Sequence, residues 1–261
     1  MSTLTGKGIH SGLTGTVTLH RTGGPVAFIR GKTRIPARVE HVQAVNRSTV
    51  LSKDGASIAM VEHILAALHV LGWWEGLDIE VSGAEMPILD GSAADWLEPL
   101  RSLGTPPAAP PAFRVGRGFE VELGAGLAVV EPGEAGLSVC IDFDHPAIGR
   151  QSWHSTPDGY ADVLHARTFG LLSEQEQLQA AGLALGADLS NTLVFGESGP
   201  LSPQRYPDEP VRHKALDAIG DLYLFGRPVK ASIRLTRASH GLHARLVAAL
   251  RAAERARGLV S

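Results

Sequence analysis

The sequence predicts a chain of mixed helices and strands arranged as two related halves, and three observations predict it. Apolar residues recur with a period of two in some stretches and at helical spacing in others, so neither element type fills the chain. The run Gly104-Thr-Pro-Pro-Ala-Ala-Pro-Pro-Ala112 reads as a stiff, extended linker and sets a boundary between residues 1–103 and 113–261. The halves also echo each other. Val61-Glu-His63, an Ala/Leu-rich helix and a strand at 77–81 parallel Val211-Arg-His213, its helix and a strand at 230–236.

In chain order, Gly6-Lys-Gly-Ile-His-Ser-Gly12 is a tight glycine-rich segment, and residues 14–20 then alternate as a strand does. No helical pattern follows these glycines, so phosphate-loop and dinucleotide readings fail; a turn carrying His10 toward a site is the reading kept. Short strands are expected at 26–30, 34–39, 48–51 and 57–59. Residues 60–71 read as a helix with Gly72 as its C-cap, although Glu62 and His63 interrupt the apolar pattern. The strand at 77–81 follows, then a turn at Pro87-Ile-Leu-Asp-Gly-Ser92 into a helix near 93–103. After the linker, strands are expected at 119–123, 127–131 and 137–143, and a short helix at 161–166. A helix at 173–181 has Ser173 and Glu176 at capping-box spacing. The strand at 192–195 precedes a helix over 211–222, entered through Pro210, where a missing N–H costs nothing. A strand at 230–236 and an amphipathic helix at 242–257 complete the chain.

With 261 residues, 44% of them hydrophobic, the chain can pack one large core or two ordinary ones. A net charge of -3, with both signs mixed along the chain, argues against a nucleic-acid partner. No apolar run is long enough for a transmembrane segment. Met1-Ser-Thr-Leu-Thr lacks the charged and apolar regions of a secretory leader, so a soluble cytoplasmic protein is expected. The one cysteine, Cys140, lies in an apolar strand and reads as a buried structural thiol. Trp73-Trp74 reads as packing, with an interface as the alternative.

The chemistry gathers on two helices. His213, Asp217 and Asp221 recur at intervals of four and leave one helix face. An imidazole and a carboxylate one turn apart can share a divalent ion, though a polar face with an incidental histidine has the same spacing. The Glu62-His63 pair offers what this face lacks, a third ligand and a base. Two imidazoles, one aspartate and a spare glutamate describe a catalytic zinc centre with one place left for water. His240, just after a strand, can serve as an acid, and Asp221 can hold it protonated. Spacing alone does not bring the two halves together.

Seven motifs carry a resemblance over almost the whole chain: Gly6-Lys-Gly-Ile-His-Ser-Gly12, Val61-Glu-His-Ile-Leu-Ala-Ala-Leu68, Pro87-Ile-Leu-Asp-Gly-Ser-Ala93, His145-Pro-Ala-Ile148, Ala166-Arg-Thr-Phe-Gly170, Gly182-Leu-Ala-Leu-Gly186 and Val211-Arg-His-Lys-Ala-Leu-Asp-Ala-Ile-Gly-Asp221. In this order they resemble the zinc-dependent UDP-3-O-acyl-N-acetylglucosamine deacetylases of lipid A biosynthesis. The resemblance implies an α+β fold of two similar domains, each with helices layered against β-sheet, and an active site between them. The domains would be 1–103 and 113–261, joined by the linker 104–112, with an acyl-passage insert at about 143–166. It implies Zn²⁺ on His63, His213 and Asp217, and Glu62 as the general base. His240, paired with Asp221, would protonate the leaving amine, and Thr168 would donate to the oxyanion. Phe169 and Lys214 would contact substrate, Arg237 would grip a diphosphate, and His10 would lie near the site. It further implies an acylated UDP-amino-sugar substrate, loss of its N-acetyl group, and a cytoplasmic monomer.

Departures accompany the resemblance: only five residues precede Gly6, which leaves the edge of the first sheet open, and Trp73-Trp-Glu-Gly76 replaces a shorter, less aromatic turn. Arg237 stands near a usual lysine, Ser239 stands where glycine is usual and restricts the backbone before His240, and the segment 149–162 is shortened. The shortened segment leaves open a related zinc deacetylase of another acetylated amino sugar. A non-catalytic nucleotide-sugar-binding homologue would lack a ligand or the base, and none is missing.

Overall fold

The computed structural model describes residues 2–44, 47–156 and 159–258. The fold is α+β and is built on two five-stranded sheets. Among the described residues there are five α-helices: α1 (Glu62–Leu71), α2 (Leu97–Arg101), α3 (Gln175–Ala180), α4 (Glu209–Tyr223) and α5 (His240–Arg255). From edge to edge, the first sheet runs Ser2–Lys7, Thr14–Pro25, Glu75–Val81, Ala27–Arg30, Thr33–Pro36. The second runs Phe119–Leu123, Gly126–Glu131, Ser232–Thr236, Gly136–Asp142, Arg150–His154.

The two orders are the same. In each sheet the last strand in sequence enters the middle, antiparallel to the second strand and parallel to the third. A parallel neighbour requires a crossover connection. The crossover carries α1 in the first half and α4 in the second. The echo in the sequence is therefore one topology used twice.

Alternate strand residues face the core, as in the pairs Leu19–Ile79 and Val139–Leu235. Cys140 takes the opposite phase and is half-buried, which corrects the expectation of a fully buried thiol. Helix α1 is buried from Glu62 to Leu68, and α4 at every residue except Arg212 and Lys214. Helices hidden on every side need cover on every side. Val17, Leu19, Phe28 and Ile79 of the first sheet share a core with Ile64, Leu65 and Leu68 of α1. Helix α4 packs against α1, α5 and the second sheet.

The crossing of α1 and α4 depends on Gly220. A Cβ there would stand 2.0 Å from the carbonyl oxygen of Glu62, so any side chain would drive the helices apart. Near this crossing Trp74 stacks on Tyr223, with ring centroids 4.8 Å apart. Trp73 and Trp74 are both buried, so they pack and present no surface.

Some local expectations give way. Ser173 and Glu176 form no capping box, because Leu172–Glu174 is a 3-10 turn and α3 begins only at Gln175. The helix near 93–103 divides into a 3-10 turn at Ala94–Trp96 and α2, and 161–166 holds one 3-10 turn at Ala161–Val163. The strand Arg150–His154 escapes the sequence because its alternation carries a single large apolar residue, Trp153. Helix α5 starts at His240, and the Ser239 side chain caps it by accepting from the Leu242 N–H. Ser239 has a φ of -133°, an extended conformation that any residue adopts, so it imposes no restriction before His240. Residues 104–112 carry neither helix nor strand, and we propose the boundary between the halves there. Among the described residues no helix is long and apolar enough to cross a membrane.

The glycine at the crossing can be tested directly. Gly220→Ala is expected to lower unfolding free energy by roughly 1–3 kcal/mol in urea, the usual range for overpacking. It should also weaken any metal binding that needs both helices. Unchanged stability and metal content would contradict the close crossing.

Candidate active site

A cavity of about 390 Å³ opens where α1 and α4 meet the loop that enters α5. Glu62 and His63 reach it from α1, and His213, Lys214 and Asp217 from α4. Thr168, Phe169 and His240 complete its chemistry-bearing wall.

Each histidine of the pair is aimed by its own backbone acceptor. His63 Nδ1 donates to the Ser92 carbonyl at 3.2 Å, and His213 Nδ1 to the Ala166 carbonyl at 3.1 Å. Both Nε2 atoms are left as acceptors, the state a metal ligand needs. The rings lie 5.2 Å apart, and His213 Nε2 is 3.3 Å from Asp217 Oδ1. One ligand atom from each of His63, His213 and Asp217 lies within 4.8 Å of the others, so the three can hold one metal ion.

The turn at Pro87–Ser92 braces this wall. Asp90 accepts from the Ser92 N–H at 2.9 Å and pairs with Arg205 at 2.8 Å. Gly91 has φ of +86°, and its carbonyl accepts from the Thr168 N–H at 2.7 Å. A Cβ on Gly91 would stand 1.8 Å from the Asn191 carbonyl oxygen, so the motif's glycine lets that backbone pass.

Opposite the ligands sits an acid–base group. His240 Nδ1 donates to Asp221 Oδ2 at 2.7 Å, while His240 Nε2 lies 4.0 Å from Glu62 Oε1 and 3.9 Å from Asp217 Oδ2. Burial dominates Glu62 and pushes its carboxyl up to about 8, against the pull of His240. Burial opposes the charge on His240, but Asp221, Asp217 and Glu62 outweigh it and raise the imidazole to about 9. Burial likewise opposes ionisation of Asp221, yet His240 and His243 hold it down to about 2. Asp217 is also buried, and Lys214, whose Nζ is 2.6 Å from Oδ2, leads the positive groups that hold it far below the usual carboxylate range. Burial lowers both His63 and His213, the latter to about 4, which keeps the two ligand candidates neutral.

The sequence profile of UDP-3-O-acyl N-acetylglycosamine deacetylase (LpxC) matches residues 1–252. The chain belongs to that family. Relatives named UDP-3-O-acyl-N-acetylglucosamine deacetylase include one from Thermosynechococcus vestitus, 41% identical, with 94% of this chain and 90% of the relative covered. One from Anaeromyxobacter dehalogenans is 40% identical over 93% of this chain and 82% of its own. One from Shewanella loihica is 37% identical over 98% and 89%.

Of the residues expected from the deacetylase resemblance, three lie off the cavity wall. His10 is tied to Glu85, which accepts from its backbone N–H at 2.7 Å, and its Nδ1 accepts from the Ala184 N–H at 3.4 Å. Arg237 is half-exposed and pairs with Asp142, while the next residues, Ala238 and Ser239, do line the cavity. Asp221 lies behind His240 rather than on the wall.

Other site residues carry no mark in the sequence. Thr49 is buried; its N–H donates to Glu62 Oε2 at 3.1 Å and its hydroxyl to Asp221 Oδ1 at 2.5 Å. Met60 enters the cavity wall with a φ of 61°, a conformation rare for a non-glycine residue. His243, one turn beyond His240, is the residue a helical reading can find.

The segment 143–166, expected as an acyl-passage insert, places several of its apolar residues in the core. Ile148, Trp153, Val163 and Leu164 are core residues, although Phe143 reaches the cavity. An apolar cleft of about 260 Å³ lies instead beyond Gly170 and Leu171, which line both spaces. Leu178 of α3 and Val194 of the small sheet Phe169–Leu171, Leu193–Gly196, Gly199–Pro200 wall it, with Leu172 of the 3-10 turn and Leu201 just after the last strand.

A buried ion pair anchors the entry to α4. Glu209 accepts from Arg167 Nε at 2.9 Å and from the Arg167 N–H at 3.0 Å, just before Thr168. Breaking such a pair leaves an unpaired buried charge, so Glu209→Ala should lose about 3–5 kcal/mol in denaturant unfolding. Burial works against the Glu209 charge, but the Arg167 hydrogen bonds hold its pKa below 4.5. Its contribution should be full above pH 4.5 and decline as pH falls through the lowered pKa. Equal acid sensitivity of Glu209→Gln and wild type would argue against this coupling.

Proposed function

We propose that the protein hydrolyses the N-acetyl group of a UDP-3-O-acyl-N-acetylglucosamine, releasing acetate and the free amine, as a step of lipid A biosynthesis. The observation that carries this reading is the meeting of Glu62, His63, His213, Asp217 and His240 around one cavity. A non-catalytic homologue would not need that set intact.

We assign Zn²⁺ to His63, His213 and Asp217. Bonds of about 2.0–2.1 Å put two tetrahedral ligand atoms roughly 3.3 Å apart. His213 Nε2 and Asp217 Oδ1 have that separation, 3.3 Å, and the donor set is of the right type, so the residues fit. When bound, zinc supplies a Lewis acid for the acetamide carbonyl and acidifies a water molecule. Glu62 would take a proton from the attacking water at its carboxylate, as the water oxygen bonds to the acetyl carbon. The Thr168 hydroxyl donates to the oxyanion. His240 passes its Nε2 proton to the amine nitrogen as the C–N bond breaks, and Asp221 stabilises the cation until then. Lys214 holds the second oxygen of Asp217, and with Phe169 faces the sugar. Arg237 is assigned to the diphosphate at the rim, and His10 takes a lesser, indirect part through the loop at residue 184.

The 3-O-acyl chain is assigned to the cleft beyond Gly170 rather than to the insert. Each buried methylene is worth roughly 0.8 kcal/mol, so half-burying about ten carbons contributes on the order of 4 kcal/mol. We infer a cytoplasmic monomer.

Incubation with the acylated UDP-sugar and zinc should release acetate. Asp217→Ala should lose most metal and activity; stoichiometric metal in that variant would contradict the ligand set. The rate should fall as pH rises through about 9, where His240 loses its proton, and His240→Ala should abolish that limb with metal retained. Glu62→Ala should abolish the acidic limb, and a profile unchanged by either substitution would refute the assignments. Removing the acyl chain should cut kcat/KM by at least about a hundredfold. Equal kcat/KM with and without the chain would favour a deacetylase of another amino sugar.

A further inference from the structure

The acid–base group contains one buried histidine for which the reaction has no task. His243 is 1% exposed, and its Nδ1 lies 2.8 Å from Asp221 Oδ2, the oxygen that also accepts from His240 at 2.7 Å. The other oxygen, Oδ1, accepts from the Thr49 hydroxyl at 2.5 Å. One carboxylate therefore receives three side-chain donors. Its two histidines meet nearly edge to face, with centroids 6.1 Å apart and planes at 84°.

The two rings have unlike surroundings. His240 turns its Nε2 toward the cavity, Glu62 and Asp217. His243 turns its Nε2 into the interior, where that atom is buried and has no partner among the described residues. A carboxylate only accepts, so the proton that His243 shares with Asp221 must reside on Nδ1. A cationic His243 would carry a second N–H facing nothing, which burial penalises. His243 is thus a neutral donor that can neither reach substrate nor exchange a proton with the cavity.

We infer that His243 is a positioning residue for the deacetylation: it locks the Asp221 carboxylate in the orientation that aims the His240 acid at the leaving nitrogen. The inference rests on the hydrolytic reading given above. An aspartate on a helix has a broad side-chain torsion, and Thr49 alone holds only Oδ1. The third donor, from α5, ties the carboxylate to the same helix that carries His240. A helix turn fixes the spacing between residues 240 and 243, so Asp221 cannot turn without losing both imidazoles.

The test uses full-length, zinc-loaded protein and two substitutions. His243→Leu keeps apolar volume and removes the donor. His243→Asn places an amide N–H close to where Nδ1 stood. His243→Leu should reduce kcat at least about tenfold, with KM and bound zinc unchanged. His243→Asn should recover most of that loss. In an Asp221→Ala background, His243→Leu should cost less than about a further twofold, because the group it positions is gone. A purely structural role would lower thermal stability in both variants without rescue by asparagine, and the losses would combine independently. Wild-type kcat in a folded His243→Leu, or asparagine no better than leucine, would overturn the inference. Should His243→Leu not fold, long-range ¹H–¹⁵N spectra of the wild-type protein decide it. His243 is expected as the Nδ1–H tautomer, and the Nε2–H tautomer would overturn the inference. Wild-type protein that released no acetate from the acylated UDP-sugar would instead defeat the hydrolytic reading, leaving the tautomer result to stand on its own.

Discussion

Everything at the site depends on the contact between α1 and α4 at Gly220. Two helices buried on nearly every face approach until the backbone of Glu62 occupies the space a side chain at 220 would need. That contact sets His63 of the first half 5.2 Å, ring to ring, from His213 of the second. Each helix is delivered there by its own sheet, since a central parallel strand demands a crossover. The repeated topology thus brings two crossover helices together, and the proposed metal ligand set draws on both.

Burial then does different work on neighbouring groups. It keeps His63 and His213 neutral, raises Glu62 into the range of a general base, and is overruled at His240 by three carboxylates. A low-dielectric interior strengthens each of these opposing interactions, so small differences in placement separate the protonation states widely. Thr49 couples the two sides, donating to Glu62 through its backbone and to Asp221 through its hydroxyl. A strand-end threonine therefore matters more to the chemistry than its surroundings in the sequence suggest.

Much of this was legible beforehand. The i, i+4, i+8 spacing put His213, Asp217 and Asp221 on one face, and the polar pair Glu62-His63 stood out against an apolar helix. A polar face on a helix shows in the sequence because periodicity is local. What stayed hidden is non-local or conformational. Thr49 acts through its position next to Asp221, 172 residues away in sequence, and no local pattern records that. The strand Arg150–His154 lies at a sheet edge with polar alternation, so it looked like part of an insert. Several apolar residues of 143–166 are buried in the core, and hydrophobicity alone does not distinguish a core from a cleft. Where glycine seemed necessary, at Ser239, the backbone is extended and the serine caps α5 instead.

The central claim is that residues from both crossover helices form one metal centre. Diffraction data collected on both sides of the zinc absorption edge, from crystals grown with stoichiometric zinc, test it directly. One anomalous peak is expected, bonded to His63 Nε2, His213 Nε2 and an Asp217 oxygen at about 2.0–2.2 Å. A peak on Asp221, His240 and His243, or one bound by a single helix, would contradict it.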